Sequence, residues 1–357
     1  MYRRSFLKSA AHAAAASASP RLFAAARPSP KIGLGMDNYA VRAMGWKAPA
    51  LIDHAASLKL DALLISDLDA FDRLDDAALR DLMRQADDHG IALFAGSWSI
   101  CPTSKSFRPN RGTAEEHLRL GLRVAKALGS PVFRAVLGTM EDRKTEGGIQ
   151  ARMADTVAVL KACRTQSLDS GVKVAIENHA GDMHSWELRQ LIEAAGPEFV
   201  GANIDSGNAA WTLEDPHDVL ENLGRYTICS SLRDNMIWAT PEGAAVQWTA
   251  VGEGLIDWPG YVARWAQLCP RVPIIIETIS GAQRVFPYKS ADFWRYYDKR
   301  PAALAHFEAL AKRGHALTPF KAPAGPEGKI ATQEFQQAEL ARSITYLREK
   351  IGLGQKA

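Results

Sequence analysis

From residue 31 onward, short runs of Val, Ile, Leu and Phe alternate with longer stretches in which apolar residues recur every three to four positions. Brief apolar runs are the pattern of strands buried on both faces, and the longer period is that of amphipathic helices. The alternation therefore predicts repeated βα units around a parallel sheet. Strands are expected over 31–36, 62–66, 92–96, 132–136, 173–177, 200–205, 227–232 and 273–277, with helices over 48–59, 77–89, 113–128, 150–168, 185–195, 216–223, 258–268 and 302–312. Eight strands, each followed by a helix within about 250 to 290 residues, match the α/β class and specifically a closed (β/α)8 TIM barrel. A doubly wound open sheet is the main rival. It usually carries a glycine-rich loop after an early strand, and here that turn reads Asp37-Asn38-Tyr39-Ala40.

The ends of the chain break the pattern. Pro319, Pro323, Gly325, Pro326 and Gly328 make 315–329 a linker, and beyond it Leu340, Ile344, Leu347 and Ile351 fall at i, i+4, i+7 and i+11. That stripe predicts an extra C-terminal helix which must pack on the barrel or on a partner subunit of a homo-oligomer. The expected organisation is thus a barrel over 31–316 followed by a linker and helix over 317–357. At the other end, Arg3-Arg4-Ser5-Phe6-Leu7-Lys8 precedes an Ala-rich run closed by Ala24-Ala25-Ala26. This order of parts reads as a twin-arginine export signal over residues 1–26, implying a periplasmic protein. No later stretch approaches the roughly 18 to 20 apolar residues of a membrane span, so no membrane partner is expected.

Composition narrows the classes further. At 357 residues, 47% hydrophobic and 23% charged, the chain has material for a large core and is no disordered tail. The formal charge of +3, less the four cations Arg3, Arg4, Lys8 and Arg21, leaves −1 for the rest, which gives no electrostatic footprint for nucleic acid. Cys101, Cys163, Cys229 and Cys269 are far apart, with no C-x-x-C pair. They read as small buried hydrophobes rather than metal ligands.

In a (β/α)8 barrel chemistry sits at the carboxyl ends of the strands. Here those ends are acidic: Ile176-Glu177-Asn178-His179, Asn203-Ile204-Asp205-Ser206-Gly207-Asn208 and Ile276-Glu277-Thr278. Three carboxylates converging on one barrel mouth would repel one another unless a cation sat among them. A hard divalent ion meets that need with oxygen and imidazole ligands. The structural alternative is that each acid caps the next helix or pairs with a nearby Lys or Arg.

These motifs, together with Ser231-Leu232-Arg233-Asp234 and Gly252-Glu253-Gly254-Leu255-Ile256-Asp257, resemble the sugar phosphate isomerase/epimerase superfamily of xylose-isomerase-like TIM barrels over roughly residues 31–285. The resemblance implies that Glu177, Asp205 and Glu277 hold one divalent metal, Mn2+, Mg2+, Co2+ or Zn2+. The family's seventh-strand metal-binding histidine is here Ser231, and its sixth-strand substrate histidine is here Asn208. His179 shares the strand face of Glu177, so either it or a water would complete the shell. Arg233 instead could neutralise the acids and displace the metal.

With a metal, Glu177 and Glu277 form the natural acid/base pair around an enediolate, giving epimerisation or isomerisation of a sugar or polyol. A lyase on keto-sugars begins with the same proton abstraction. A metal-free periplasmic sugar-binding barrel is the rival from outside enzymology. His179, Asn208, Arg233, Trp98, Arg134 and Gln247 are the candidate substrate-binding residues, and the aromatics from Trp238 to Tyr297 are candidate sugar-stacking or packing groups.

Overall fold

The computed structural model describes residues 32–279, 281 and 283–356, and the export signal expected over residues 1–26 lies outside them. Strands β1 (Leu34–Asp37), β2 (Ala62–Ile65), β3 (Ala92–Ser99), β4 (Val132–Val136), β5 (Lys173–Glu177), β6 (Val200–Ile204) and β7 (Thr227–Ser230) pair in parallel in chain order. After β8 (Asp234–Ala239) and β9 (Ala244–Thr249), β10 (Ile274–Ile276) returns to pair with β1 as the eighth barrel strand. The circle closes between β7 and β10 by one bridge, Leu232 to Ile276. There the Ser230 hydroxyl donates to Pro273 O at 2.9 Å and accepts from Ile275 N at 2.9 Å, standing in for a missing backbone ladder.

The surrounding helices start where the chain supplies caps. Asp75 caps α2 (Asp76–Asp88), and a Thr113–Glu116 capping box opens α3 (Ala114–Ala127) after α1 (Ala48–Ser57) and α2. The helix expected over 150–168 is broken at Cys163 into α4 (Gly148–Ala162) and α5 (Arg164–Ser170). Next come α6 (Ser185–Ala195), the single turn α7 (Ser206–Ala209), α8 (Pro216–Leu223) and α9 (Trp258–Leu268). All four cysteines are buried and unpaired.

Strand parity builds the lumen. Ala62, Leu64, Phe94, Val132, Ala175, Cys229 and Ile275 form its apolar floor. Two residues further along the same strands, and therefore on the same face, stand Arg134, Glu177, Ser231 and Glu277. The alternation that fills the floor with carbon thus puts charge at the carboxyl rim.

The connections that follow β7 and β10 form a second sheet. β11 (Gln283–Phe286), β9 and β8 form an antiparallel strap in the order β11-β9-β8. Ile237, Ala244, Val246 and Phe286 of the strap pack with Trp294, which ends α10 (Ala291–Trp294), and with Phe307, Leu310 and Ala311 of α11 (Leu304–Arg313).

The C-terminal helix α12 (Pro326–Tyr346) packs on the barrel, with Leu340, Ile344 and Leu347 in the main core. It is anchored at its middle by Ala43 N donating to Gln336 Oε1 at 2.9 Å. Beyond its C-terminal end Gly354 N donates to Ile32 O at 3.0 Å. Among the described residues no helix is long and apolar enough to cross a membrane.

Candidate active site

Glu177 closes β5, Asp205 follows β6 and Glu277 follows β10. One oxygen from each lies within 4.8 Å of the others, and all three residues are buried. Local structure fixes Asp205 most tightly. It caps the single turn of α7, its Oδ1 accepting from Gly207 N at 2.7 Å and Asn208 N at 3.0 Å.

Nitrogen donors surround the acids. Arg134 Nε donates to Glu177 Oε2 at 2.6 Å, and Asn203 Nδ2 donates to the same oxygen at 2.9 Å. Asn208 Nδ2 donates to Asp205 Oδ2 at 2.6 Å and to Glu177 Oε1 at 3.3 Å. Arg233 Nη2 lies between two acids, donating to Asp205 Oδ2 and, at 2.6 Å, to Glu277 Oε2. Ser231 Oγ accepts from Asn203 Nδ2 at 3.2 Å.

With Asp37, the lumen holds four buried carboxyl groups against the guanidinium groups of Arg134 and Arg233. Full ionisation would leave an excess of two negative charges. Burial, followed by the charge of Glu277, pushes Asp37 up to about 8. Burial likewise raises Asp205 and Glu277, with Arg233 pulling both back. His179 moves the other way, lowered to about 4 by burial and then by Arg134. Its ring is therefore neutral at pH 7, and because Nδ1 lies 2.6 Å from Gly138 O, that nitrogen carries the hydrogen and Nε2 keeps the lone pair.

The three carboxylates fit a hard divalent ion in oxygen chemistry, offering three close ligand oxygens, and in the sign of their charge, since three carboxylates face only two guanidinium groups. The fourth ligand is less well provided. Ser231 offers only a hydroxyl, and His179 stands outside the set of ligand atoms that lie this close.

The remaining sequence candidates separate. Asn208, Arg233 and Arg134 touch the acids directly, Arg134 as an ion-pair partner of Glu177 rather than a free group. Trp98 stands apart on the rim, with Nε1 donating to Asp67 Oδ2 at 2.7 Å and its ring edge-on to Tyr39. Gln247 is buried in the strap with Oε1 unpartnered. Of the aromatics, Phe286, Tyr288 and Trp294 are packing residues. Phe293, Tyr296 and Tyr297, with Arg143, Lys144 and Met140, line a cavity of about 210 Å³.

Two features have roles that the sequence does not assign. Asn203, which bonds Glu177, sits mid-strand among small apolar residues and carries only the signal of strand parity with Asp205. Arg233 lies 4.3 Å over Trp248, Trp248 stacks on Trp211 at 4.6 Å, and Arg284 covers Trp211 at 4.4 Å. Nothing local in the sequence marks that ladder. Around the acids, Asp37 Oδ2, Asn203 Oδ1, Asn208 Oδ1 and the Nε and Nη1 of Arg233 are buried without a hydrogen-bond partner among the described residues. Orphaned polar atoms cost free energy in an apolar core, and their concentration here is what a polar ligand would relieve.

A family model described as xylose isomerase-like TIM barrel matches residues 52–297. A 3-oxo-isoapionate decarboxylase of Pectobacterium atrosepticum is 23% identical over 212 residues, 58% of this chain and 69% of that one. Among solved structures, a D-psicose 3-epimerase in the presence of D-fructose superposes with a TM-score of 0.57 at 13% identity, covering 90% of this chain and 100% of its own. An IolI protein with a binding zinc atom gives 0.54 at 14% identity, over 80% of this chain and 100% of its own. A xylose isomerase domain protein from Planctomyces limnophilus gives 0.55 at 17% identity, over 70% and 91%.

Proposed function

The chain belongs to the xylose isomerase-like TIM barrel family, and from that premise we propose that it is an isomerase or epimerase acting on a sugar or related polyol through an enediolate. The observation that carries the reading is the buried convergence of Glu177, Asp205 and Glu277 beside unpartnered polar atoms of Asn203, Asn208 and Arg233. The same three carboxylates would hold a divalent ion, which when bound polarises the substrate carbonyl and its neighbouring hydroxyl.

The chain's own groups do the rest. One of Glu177 and Glu277 takes the proton from the carbon between hydroxyl and carbonyl, and the electron pair moves to leave an enediolate. The acids are buried, so the charge that develops on the enediolate is met by fixed groups of the lumen rather than by bulk water. The other carboxyl group returns a proton, to the opposite face for epimerisation or to the adjacent carbon for isomerisation. Neutral His179, with its Nε2 lone pair, is suited to accept from a substrate hydroxyl.

Incorporation of solvent deuterium into candidate ketoses by metal-supplemented protein tests this. Replacing one member of an acid/base pair should slow exchange by at least about 100-fold. Unchanged exchange in Glu277→Gln would remove Glu277 from the pair, and no exchange with any ketose together with no release of CO2 from sugar acids would favour a binding barrel without turnover.

The relative named 3-oxo-isoapionate decarboxylase supports a second reading. A 3-oxo sugar acid that loses CO2 leaves the electron pair of the broken C–C bond in an enolate, which a carboxylic acid then protonates at carbon. Release of CO2 from such acids, without exchange into ketoses, would select it.

A further inference from the structure

We propose that Arg233 is a tethered competitor of the metal: its guanidinium and a divalent ion are alternative occupants of the gap between Asp205 and Glu277, so that the ion enters only as the arginine leaves. This deepens the reading above and rests on it for the identity of the ligand set.

The case begins with the oxygens of Asp205. Oδ1 is committed to the backbone N–H groups of Gly207 and Asn208, which form the single turn of α7. Only Oδ2 remains, and it already accepts from Asn208 Nδ2 and from Arg233 Nη2. The same Nη2 donates to Glu277 Oε2 at 2.6 Å. An ion bonded to these two oxygens would sit at about 2.0 to 2.4 Å from each. That is the space Nη2 holds, and two cations cannot share it.

The chain also strengthens the arginine's hold and weakens the ion's. Arg233 is 2% exposed and lies on the face of Trp248, whose Nε1 is itself fixed by Gly207 O at 3.0 Å. Ser231, two residues earlier on the same strand face, gives the ion no imidazole. Gly207 is what lets the arginine lie there. A Cβ at that position would come 2.0 Å from Arg233 Cγ, so any larger residue must move the side chain. The Nε and Nη1 groups, buried and unpartnered, show that the guanidinium is not fully satisfied where it is.

Titration of chelator-treated full-length protein with Mn2+, followed by calorimetry and by the loss of the free-ion EPR signal, tests the proposal. Arg233→Met removes the competitor, and Gly207→Ala displaces it while keeping every acid. Each is expected to bind Mn2+ at least ten-fold more tightly than the parent protein, with a near-ultraviolet circular dichroism change at the tryptophans when the parent is saturated. Should Arg233→Met fold poorly, Gly207→Ala carries the test by itself. Variants that bind Mn2+ equally or more weakly than the parent overturn the proposal. Because the readout is binding, that failure is distinct from failure of the proposed reaction, which would show as tight Mn2+ binding without deuterium exchange.

Discussion

Glu177, Asp205, Asp234 and Glu277 look alike in the sequence, each an acid at or just after the end of an apolar strand. Parity separates them, because Ser231 and Arg233 face the lumen and Asp234 turns away. Its Oδ2 accepts from Gly252 N at 3.0 Å, Gly254 N at 3.2 Å and Trp258 Nε1 at 2.7 Å, and its Oδ1 accepts from Ile256 N at 3.2 Å. It is the post around which the Gly252-Glu253-Gly254-Leu255-Ile256-Asp257 turn is wound. Asp234→Asn would turn an N–H donor toward this ring of donors. The expected loss is about 3 kcal/mol of unfolding free energy by urea titration, with deuterium exchange per folded molecule retained. A fall in exchange without a fall in stability would move Asp234 into the chemistry. The acids were legible one by one because a strand end is a local feature. Of their partners, Arg233 was legible as a neutralising group, but which acids it meets was not, nor was the pairing of Arg134: Arg134 reaches Glu177 across 43 positions and Arg233 reaches Glu277 across 44, and pairing at that range is decided by closure of the barrel.

The eight barrel strands were legible because each is buried on both faces and needs no partner to look like a strand. The strap was not, since β9 pairs with β8 and β11 around residues whose common partner, α11, lies far along the chain. A buried polar knot at the start of α6 is a similar case. Arg143, from the segment after β4, donates to Glu187 Oε2 at 2.5 Å, while His184 N donates to the same oxygen at 2.7 Å. Burial works against the Glu187 charge, but the His184 hydrogen bond and the Arg143 charge prevail and hold its carboxyl at about 2, below its ordinary 4.5. A carboxyl depressed on folding contributes stability that is complete above the unfolded value and is lost as pH falls toward the folded one. The parent protein should therefore exceed Glu187→Gln by on the order of 3 kcal/mol at pH 7. In urea titrations at stepped pH, that margin should shrink between about 4.5 and about 2. A margin independent of pH across this window would mean that packing, not charge, holds the knot.

At the scale of the molecule, the sequence pattern places the barrel over 31–316 with a linker and helix appended, whereas the packing gives α11 and α12 different roles. α11 serves the strap, its Phe307 and Leu310 buried against Ile237, Val246 and Phe286. Leu340, Ile344 and Leu347 of the α12 region enter the main core instead. Arg348 donates to Leu58 O at 2.7 Å and Lys59 O at 2.6 Å at the end of α1, and Val251 N donates to Ser343 Oγ at 2.9 Å. The segment thus spans the wall between the last barrel units and the first, the place an eighth βα helix would fill. The stripe was legible as apolar, but its destination was not, because β11, α10 and α11 separate it from β10. A chain cut after residue 316 would expose a groove that Leu340, Ile344, Leu347 and Leu353 now cover. At about 2 to 3 kcal/mol for each buried leucine or isoleucine, the loss is comparable to the whole stability of an ordinary domain. The truncated chain should show no cooperative thermal transition and should bind a hydrophobic dye at room temperature, and adding a separate 317–357 peptide should partly restore the transition. A truncated chain melting cooperatively within a few degrees of the full-length protein would return α12 to the status of an appendage.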